Sequence, residues 1–339
     1  MTETPAERVL VTGGTGYVAG WCIVELLRHG YAVRATVRDL AKADAVRAAV
    51  GRSGVALDRL TVVAADLVRD DGWDAAVQGC RYVLHVASPL GATAPRDRHA
   101  LIAPARDGTL RVLRAATAAG VQRVVMTSSC AACAPRLQGA DSVNDETVWS
   151  DPADPALNAY RLSKIAAERA AWEFMRGAGA PTSFTTILPS AIFGPVLTRE
   201  HLGSVQIIDA LLRGRMPAMP RVGFNVVDVR DVADLHVRAM TAPAAAGERF
   251  IAAGDFLWLR DMARTLRAQL GQRAEKVPTR EMPNLVTRAL SLVAAPLRTI
   301  TPTLGRKHVY ASDKARRLLG FSPRAAETTV IECAESLLA

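Results

Sequence analysis

The 339-residue sequence predicts an α/β protein, built on a doubly wound parallel sheet with a smaller mixed lobe towards the C-terminus. Over the first two-thirds of the chain, short β-branched runs alternate with helical patterns, as in successive βαβ units. Several of these runs, such as residues 83–86 and 124–126, are nearly continuously apolar. Such runs are typical of strands that helices cover on both faces.

The alternation also places the individual elements. Apolar runs predict strands at residues 8–12, 32–37, 60–64, 82–86, 123–127 and 185–188. Helical periodicity predicts helices at residues 16–29, 40–50, 101–119 and 159–176. After Pro189 the alternation stops, and a strand-to-helix unit at 225–240 and a short strand at 249–252 follow. We therefore predict a sheet domain over residues 1–189, to which residues 225–241 return, and a lobe of residues 190–224 and 242–339.

Composition argues against several classes of protein. Half of the residues are hydrophobic and 22% are charged, which is ordinary for a globular chain. The net charge of +9 comes from scattered arginines without interleaved aromatics, so we expect no nucleic-acid partner. Residues 285–297 are too short, and interrupted by Arg288, to span a bilayer, so no membrane partner is expected. Five unpatterned cysteines and the absence of a signal-like N-terminus predict a cytoplasmic protein.

The first predicted strand runs directly into a glycine-rich turn, and an apolar helix follows. Residues 9–20 read VLVTGGTGYVAG. Gly13 and Gly16 permit a tight turn and a close approach of the backbone to a pyrophosphate. The free N–H groups at the start of the helix attract the phosphates. This context predicts a Rossmann-type dinucleotide site that includes Gly13, Gly16, Tyr17 and Val18.

The end of the second strand bears on which dinucleotide binds. A carboxylate there favours the ribose hydroxyl of NAD, whereas a cation favours the 2′-phosphate of NADP. Arg38 emerges at the strand end, with Lys42 one helical turn further on, and this favours NADP. The alternative is that the neighbouring Asp39 sets a preference for NAD. Asp66, after the third strand, is expected either to hydrogen-bond the adenine or to cap a helix.

A candidate catalytic set follows the fifth strand, which ends in Thr-Ser-Ser at residues 127–129. Tyr160 and Lys164 lie four apart on a predicted helix and therefore share one face. We expect the Lys164 ammonium to lower the pKa of Tyr160, making the phenol a usable proton donor. A serine at the strand end would hold the substrate oxygen.

These motifs together resemble the extended short-chain dehydrogenase/reductase superfamily. Within it, the chain is similar to the dihydroflavonol reductase and cinnamoyl-CoA reductase branch and to the related bacterial aldehyde and ketone reductases. The similarity covers nearly the whole chain and rests on VRATVRD at 33–39, ADL at 65–67, HVASP at 85–89, TSS at 127–129, AAERAAW at 166–172 and VVDVRDVA at 226–233.

The resemblance implies a catalytic triad of Ser129, Tyr160 and Lys164. The second serine is preferred because the family's catalytic serine precedes a small residue, where Cys130 stands here. The resemblance also implies NADPH contacts, which we assign to Arg38, Lys42, Asp66, Leu67, Val86, Ala87, Ser88, Tyr160, Lys164 and Pro189.

The chain departs from the family pattern at three places. Ala19 stands at the third glycine position, which helix packing tolerates. Asp107 lies in the fourth helix, where many extended members carry an asparagine, so a proton relay through that residue is in doubt. Ala134 stands near the polar selector of plant flavonoid reductases, so dihydroflavonol specificity is not supported. Cys130 and Cys133 have redox or zinc spacing without partners, so we expect them to line the pocket and we expect no metal.

The sequence therefore predicts an NADPH-dependent reductase of a small aldehyde or ketone, acting as a monomer or homodimer. One alternative is a nucleotide-sugar epimerase or dehydratase, or a 3β-hydroxysteroid-type dehydrogenase, on the same scaffold. The arginines at 213, 215 and 221 form no recognisable diphosphate clamp for a sugar nucleotide. A second alternative is a non-catalytic NADP-sensing protein. The particular carbonyl substrate and the direction of reaction stay open.

Overall fold

The computed structural model describes residues 6–89, 97–137, 139–179, 181–198 and 203–339. In chain order, the strands are β1 (Arg8–Val11), β2 (Ala32–Val37), β3 (Leu60–Ala64), β4 (Tyr82–His85), β5 (Arg123–Thr127), β6 (Ser142–Asn144), β7 (Ser183–Pro189), β8 (Ala191–Phe193), β9 (Met219–Pro220), β10 (Gly223–Asp228), β11 (Arg249–Ala252), β12 (Phe256–Trp258), β13 (Glu281–Met282) and β14 (His308–Tyr310).

The α-helices, again in chain order, are α1 (Tyr17–Arg28), α2 (Ala43–Gly51), α3 (Trp73–Val77), α4 (Ile102–Ala118), α5 (Ala159–Gly177), α6 (Val205–Leu212), α7 (Val229–Thr241), α8 (Leu259–Leu270), α9 (Asn284–Ser291), α10 (Ala295–Ile300), α11 (Asp313–Leu319) and α12 (Ala326–Leu338). Short 3-10 turns at Leu40–Lys42 and Cys130–Ala132 lie after β2 and β5, next to predicted site residues. Among the described residues, no helix combines the length and apolarity that a bilayer crossing requires.

The main sheet has the strand order β11-β7-β5-β4-β1-β2-β3 and is parallel throughout. This is the predicted doubly wound arrangement, with the order reversing between β1 and β4. In β1, Val9 and Val11 belong to the core beneath α1, α2 and α7, whereas Leu10 belongs to the core beneath α3, α4 and α5. Alternate residues thus serve the two faces, which explains why the strands read as continuous apolar runs. In such sheets, ligands bind beyond the carboxyl ends at the point of reversal.

Two strands lie elsewhere than the sequence suggested. The strand at 249–252, which we assigned to the lobe, is β11 and pairs with β7 in the main sheet. Without it, β7 would be an exposed edge with unpaired backbone groups. The strand of the 225–241 unit, expected to return to the sheet domain, is β10, and it pairs with β8 and β12 in a separate three-stranded sheet. Helix α7 of the same unit does pack against α1. The division into two domains otherwise stays a prediction.

The lobe packs near the end of β5. β14 pairs with β6, which follows β5 in the chain, in the register Val309↔Val143. β13 pairs with β9. Tyr310 of β14 packs against a small apolar cluster that includes Cys130 and Leu162, from the end of β5 and from α5. The lobe therefore contacts the region just beyond the end of β5, where the candidate catalytic residues lie.

Candidate active site

The glycine turn lies at the point where the strand order reverses. Gly13 has a φ of +75°, which an L side chain adopts only with strain. A Cβ there would lie 3.0 Å from the Cβ and 3.1 Å from the Cα of Ala87, after β4. The Gly13 N–H donates to Thr36 Oγ1 at 3.0 Å, which ties the turn to β2. Gly13 and Ala87, both predicted cofactor contacts, are therefore held close together. We call the glycine turn at this position the cradle.

Helix α1 begins directly after this cradle. Gly16 is its N-cap residue, and the first N–H groups of a helix have no partner within it. Tyr17 directs its hydroxyl away, donating to the Gly194 carbonyl at 2.9 Å, and its side chain is buried. Tyr17 and Val18 therefore have only their backbone amides to offer a phosphate from this position.

The end of β2 bears on the 2′-phosphate. The Asp39 carboxylate accepts from the Ala41 N–H at 2.9 Å and caps the 3-10 turn that contains Lys42. Arg38 is exposed immediately after the strand. Asp39 is exposed as well, so a contact of Arg38 with the cofactor stays a prediction.

Asp66 stabilises a turn rather than a helix. Its Oδ1 accepts from the Val68 N–H at 3.2 Å, whereas α3 begins only at Trp73, after Gly72. The helix-cap interpretation is therefore wrong, and contact with the adenine stays a prediction for Asp66. The neighbouring Leu67 packs against Gly108 of α4, where an added Cβ would lie 2.8 Å from the Leu67 Cβ.

The structure brings the three candidate catalytic residues together. The Tyr160 hydroxyl donates to Ser129 Oγ at 3.2 Å, and Lys164 Nζ donates to the Thr127 carbonyl at 3.1 Å. Ser129 Oγ also accepts from the Ala131 N–H at 3.1 Å, which caps the 3-10 turn after β5. Ser128 points elsewhere, into a buried contact with Glu168. The geometry thus favours Ser129 over Ser128, as the sequence comparison of the two serines had suggested.

Burial dominates the electrostatics of this set. It lowers the pKa of Lys164 to about 8, although the carboxylate of Glu168 opposes the shift. Burial also raises the pKa of Tyr160, while the hydrogen bond to Ser129 opposes this shift. The expectation that Lys164 would lower the Tyr160 pKa is therefore not borne out, because desolvation of the phenol outweighs the charges around it. Tyr160 is a protonated phenol at neutral pH.

His85 is a core residue that helps to hold the cradle. Its Nδ1 lies 3.0 Å from Thr12 Oγ1, and Nε2 lies 3.2 Å from Thr109 Oγ1. Burial lowers the His85 pKa to about 3, so the ring is neutral. Thr12 Oγ1 in turn accepts from the Ala87 N–H at 2.9 Å. This chain of hydrogen bonds fixes the loop after β4 that contains Val86, Ala87 and Ser88.

The cysteine pair behaves as buried packing. Cys130 Sγ lies 3.2 Å from the Leu188 carbonyl, Cys133 Sγ lies 3.6 Å from the Cys130 carbonyl, and both thiols are buried. Burial raises the pKa of Cys130 well above its ordinary value. A redox role needs an accessible thiolate, which this environment disfavours. Among the residues described, no group of three potential metal ligands comes together.

Sequence reasoning missed a buried and highly connected polar residue near the site, Glu168. It is fully buried on α5, one turn after Lys164, and it pairs with Arg249 of β11. The signal in the sequence is the spacing, since Glu168 lies at the i+8 position from Tyr160 and the i+4 position from Lys164. The partner Arg249 is invisible in the sequence, because it lies 81 residues away along the chain.

The fold and this site belong to a defined class. Residues 9–253 match the model of the NAD dependent epimerase/dehydratase family, and the chain belongs to that family. It is an NAD(P)-dependent oxidoreductase of the extended short-chain dehydrogenase/reductase type, in the branch that contains dihydroflavonol and cinnamoyl-CoA reductases.

Individual relatives narrow the comparison. The chain is 38% identical to a cinnamoyl-CoA reductase of Medicago truncatula over 247 residues, covering 70% of this chain and 74% of the relative. It is 30% identical to a ketoreductase of Aspergillus niger, with 98% of each chain covered. Among solved structures, it is similar to a yeast methylglyoxal/isovaleraldehyde reductase complexed with NADPH, with a TM-score of 0.81, 26% identity and 98% of each chain covered.

Proposed function

We propose that this protein reduces the carbonyl group of a small aldehyde or ketone, with NADPH as the cofactor. The observation that carries the proposal is the arrangement of Ser129, Tyr160 and Lys164 at the carboxyl end of β5, at the sheet edge where β1 leads into the glycine cradle. The names of the relatives support the same activity, since they include reductases of aldehydes and ketones.

The residues of the cradle fit a phosphorylated dinucleotide. The backbone of Gly13 lies so close to Ala87 that an added Cβ would crowd it, and the first turn of α1 presents its N–H groups next to this turn. Arg38 supplies a guanidinium at the end of β2, suited to a phosphate in charge and in geometry. When bound, the reduced nicotinamide supplies the hydride.

Ser129 is suited to orient the substrate. A hydroxyl has one proton to donate and two lone pairs that accept. Ser129 Oγ accepts from both the Ala131 N–H and the Tyr160 hydroxyl, so its own proton is left to donate to the substrate oxygen. This hydrogen bond polarises the carbonyl and holds it beside the Tyr160 hydroxyl.

Tyr160 supplies the proton and Lys164 stabilises the charge that remains. A phenol with a raised pKa is protonated at neutral pH, so Tyr160 can protonate the alkoxide that forms on reduction. The resulting tyrosinate is stabilised by a nearby cation, and Lys164, with a pKa of about 8, is mostly protonated at neutral pH. The predicted contact of Lys164 with the nicotinamide ribose belongs to the same proposal.

The test is oxidation of NADPH, compared with NADH, against a panel of aldehydes, ketones and aryl carbonyls. We expect NADPH to be consumed with at least one carbonyl, and Tyr160→Phe to lose turnover while it retains NADPH affinity. The failure of both cofactors with every carbonyl would contradict the proposal and favour an epimerase or dehydratase. A biological effect that survives in Tyr160→Phe would favour the NADP-sensing alternative.

We also propose that the protein acts in the cytoplasm, as a monomer or homodimer. Five free and buried cysteines support a reducing compartment. Light scattering of the purified chain distinguishes these two states from larger assemblies, and fractionation of the source cells tests the compartment.

A further inference from the structure

Three polar side chains follow one another along the same face of α5. Tyr160, Lys164 and Glu168 are spaced four residues apart, so each lies one turn beyond the last. The first two contact Ser129 and the Thr127 carbonyl. Glu168 completes the row, since its Oε2 accepts from the Ser128 hydroxyl at 2.6 Å. Each of the three residues at the end of β5 is therefore held by one turn of α5.

Glu168 also joins the helix to the rest of the sheet. Its Oε1 accepts from Thr186 Oγ1 of β7 at 2.9 Å and from Arg249 Nε of β11 at 2.8 Å. It receives a further, longer bond from Trp172 Nε1 at 3.4 Å. One fully buried carboxylate thus links α5 to β5, β7 and β11.

Arg249 is fixed just as firmly on the other side of the pair. Its Nη1 donates to the Glu146 and Val148 carbonyls at 2.6 and 3.0 Å. The guanidinium also lies 3.7 Å from the centre of the Trp149 ring. The position of the Glu168 carboxylate is therefore defined from both sides.

Stability alone does not account for this arrangement. Removing two charges from water costs much of what their attraction returns, and packed apolar residues often serve as well or better. A buried pair aimed at the end of the catalytic strand needs a further explanation.

We infer that Glu168 is a positioning residue for carbonyl reduction, acting in two ways. Its Oε2 fixes Ser128, and with it the backbone that sets the direction of the Ser129 hydroxyl. Its negative charge, one helical turn from Lys164, keeps the buried ammonium protonated. This inference rests on the proposed function, since it describes how the same site is held in its working form.

The groups around Lys164 leave Glu168 as the source of the stabilising charge. Lys164 has a pKa of about 8 because burial lowers it, and Glu168 opposes that shift. From β4 and α7, the buried rings of His85 and His236 have pKa values of about 3 and about 4, so both are neutral. The guanidinium of Arg249 contacts the Glu168 carboxylate. Neutralising Glu168 therefore lowers the pKa of Lys164 further.

Three variants separate the two effects. Glu168→Gln combined with Arg249→Gln removes both charges of this pair, so that neither partner is left as an unpaired ion and Lys164 loses its stabilising carboxylate. Ser128→Ala keeps the carboxylate but removes its bond to β5. Glu168→Asp keeps the charge but is one methylene too short for the observed contacts.

A matched control neutralises a different ion pair. Asp231→Asn with Arg324→Gln removes the ion pair between the Arg324 guanidinium and Asp231 Oδ1, which joins α7 to the segment before α12. The control reports the general cost of losing a partly buried pair. Unfolding by denaturant, measured on every variant, gives the fraction of each variant that is folded under the assay conditions.

The main measurement is the pH dependence of kcat for NADPH oxidation with the best carbonyl substrate. In the unmodified protein, we expect kcat to fall as the pH rises through about 8. In the double glutamine variant, this alkaline limb of the pH profile moves to lower pH. The kcat also falls about tenfold or more, because small displacements of reacting groups are costly. Ser128→Ala and Glu168→Asp lose rate but keep the position of the limb. The control changes neither, and KM stays within about twofold in all variants.

The inference is overturned if the double glutamine variant keeps the kcat and the pH limb of the control. It is also overturned if its whole loss of rate matches the unfolded fraction. If the unmodified protein reduces no carbonyl, the proposed function has failed separately. The pH dependence of NADPH affinity, measured by fluorescence, then tests Glu168: an acidic shift in the double variant supports a tuned Lys164, and an unchanged profile rejects it.

Discussion

Replacing Gly13 with alanine tests how much the cofactor cradle depends on the missing side chain. Gly13 has a φ of +75°, and its Cβ would meet Ala87 atoms at 3.0 and 3.1 Å. The left-handed backbone costs an alanine about 1–2 kcal/mol. Crowding of a packed site adds about 1–3 kcal/mol. The total loss of unfolding free energy is therefore about 2–5 kcal/mol.

Gly54 provides a matched control, since its φ is +77° and no atom lies within 4 Å of an added Cβ. Gly54→Ala has the backbone strain without the crowding, and should lose about 1–2 kcal/mol. The entropy of unfolding of a chain this long is about 0.7 kcal/mol/K, so each kcal/mol lowers Tm by about 1.4 °C. We expect Tm to fall by about 3–7 °C for Gly13→Ala and by about 1–3 °C for Gly54→Ala.

The assay pairs thermal unfolding with a fluorescence titration of NADPH. Gly13→Ala should weaken NADPH binding about tenfold or more, because relief of the clash must move the cradle backbone or the loop at Ala87, and Gly54→Ala should leave affinity unchanged. Equal Tm values and equal NADPH affinities for the two variants would refute the reasoning, since they would show that the approach of Gly13 to Ala87 is neither tight nor part of the binding site.

Three further predictions concern the cofactor, the thiols and pH. Arg38→Gln should weaken NADPH binding about tenfold, while NADH binding changes little; equal losses for the two would argue against a 2′-phosphate contact. Cys130→Ala and Cys133→Ala should retain activity, and alkylation of the native protein should be slow, as measured by thiol titration against turnover. The buried rings of His85 and His236 are neutral when folded, with pKa values of about 3 and about 4. Because the unfolded chain binds more protons below about pH 6.5, the unfolding free energy should fall as the pH drops from about 6.5 to 4, as denaturant titrations at several pH values will show. A flat profile over this range would contradict the prediction, since it would mean that the folded and unfolded chains bind the same number of protons.

The parts of the fold that sequence could predict are those encoded by local patterns. The glycine turn, the strand before it and the helix after it are contiguous, so each confirms the interpretation of the next. Helix α5 was predicted at 159–176 and is observed at Ala159–Gly177, because its helical periodicity extends over many residues. The spacing of Tyr160 and Lys164 then follows from the helix itself.

The parts that were missed depend on contacts between distant segments. An apolar run predicts a buried strand, but it does not predict which sheet the strand joins. Arg249–Ala252 was therefore assigned to the lobe, although it pairs with β7. The same limit applies to Gly223–Asp228, which lies in the small sheet. Register and partner are settled by tertiary packing, which a single sequence does not record.

Glu168 was missed for a related reason, since a lone glutamate in a helix is usually a solvated residue. Its role depends on contacts with Arg249 of β11, Thr186 of β7 and Ser128, which directly follows β5. The four-residue spacing was visible, but the burial that makes a carboxylate consequential was not.

The raised pKa of Tyr160 suits carbonyl reduction better than alcohol oxidation. An acid with a lowered pKa is useful when the residue must act as a base, as it must in alcohol oxidation. Carbonyl reduction instead needs a phenol that is protonated when the substrate arrives, and burial provides this. The tyrosinate that remains must then be stabilised by a cation, although burial disfavours the charged form of Lys164. The structure addresses that need with a second buried charge, Glu168, beyond Lys164. In the proposed reduction, proton donation by Tyr160 and the ion pair of Glu168 with β11 are therefore parts of one electrostatic arrangement, aligned along a single face of α5.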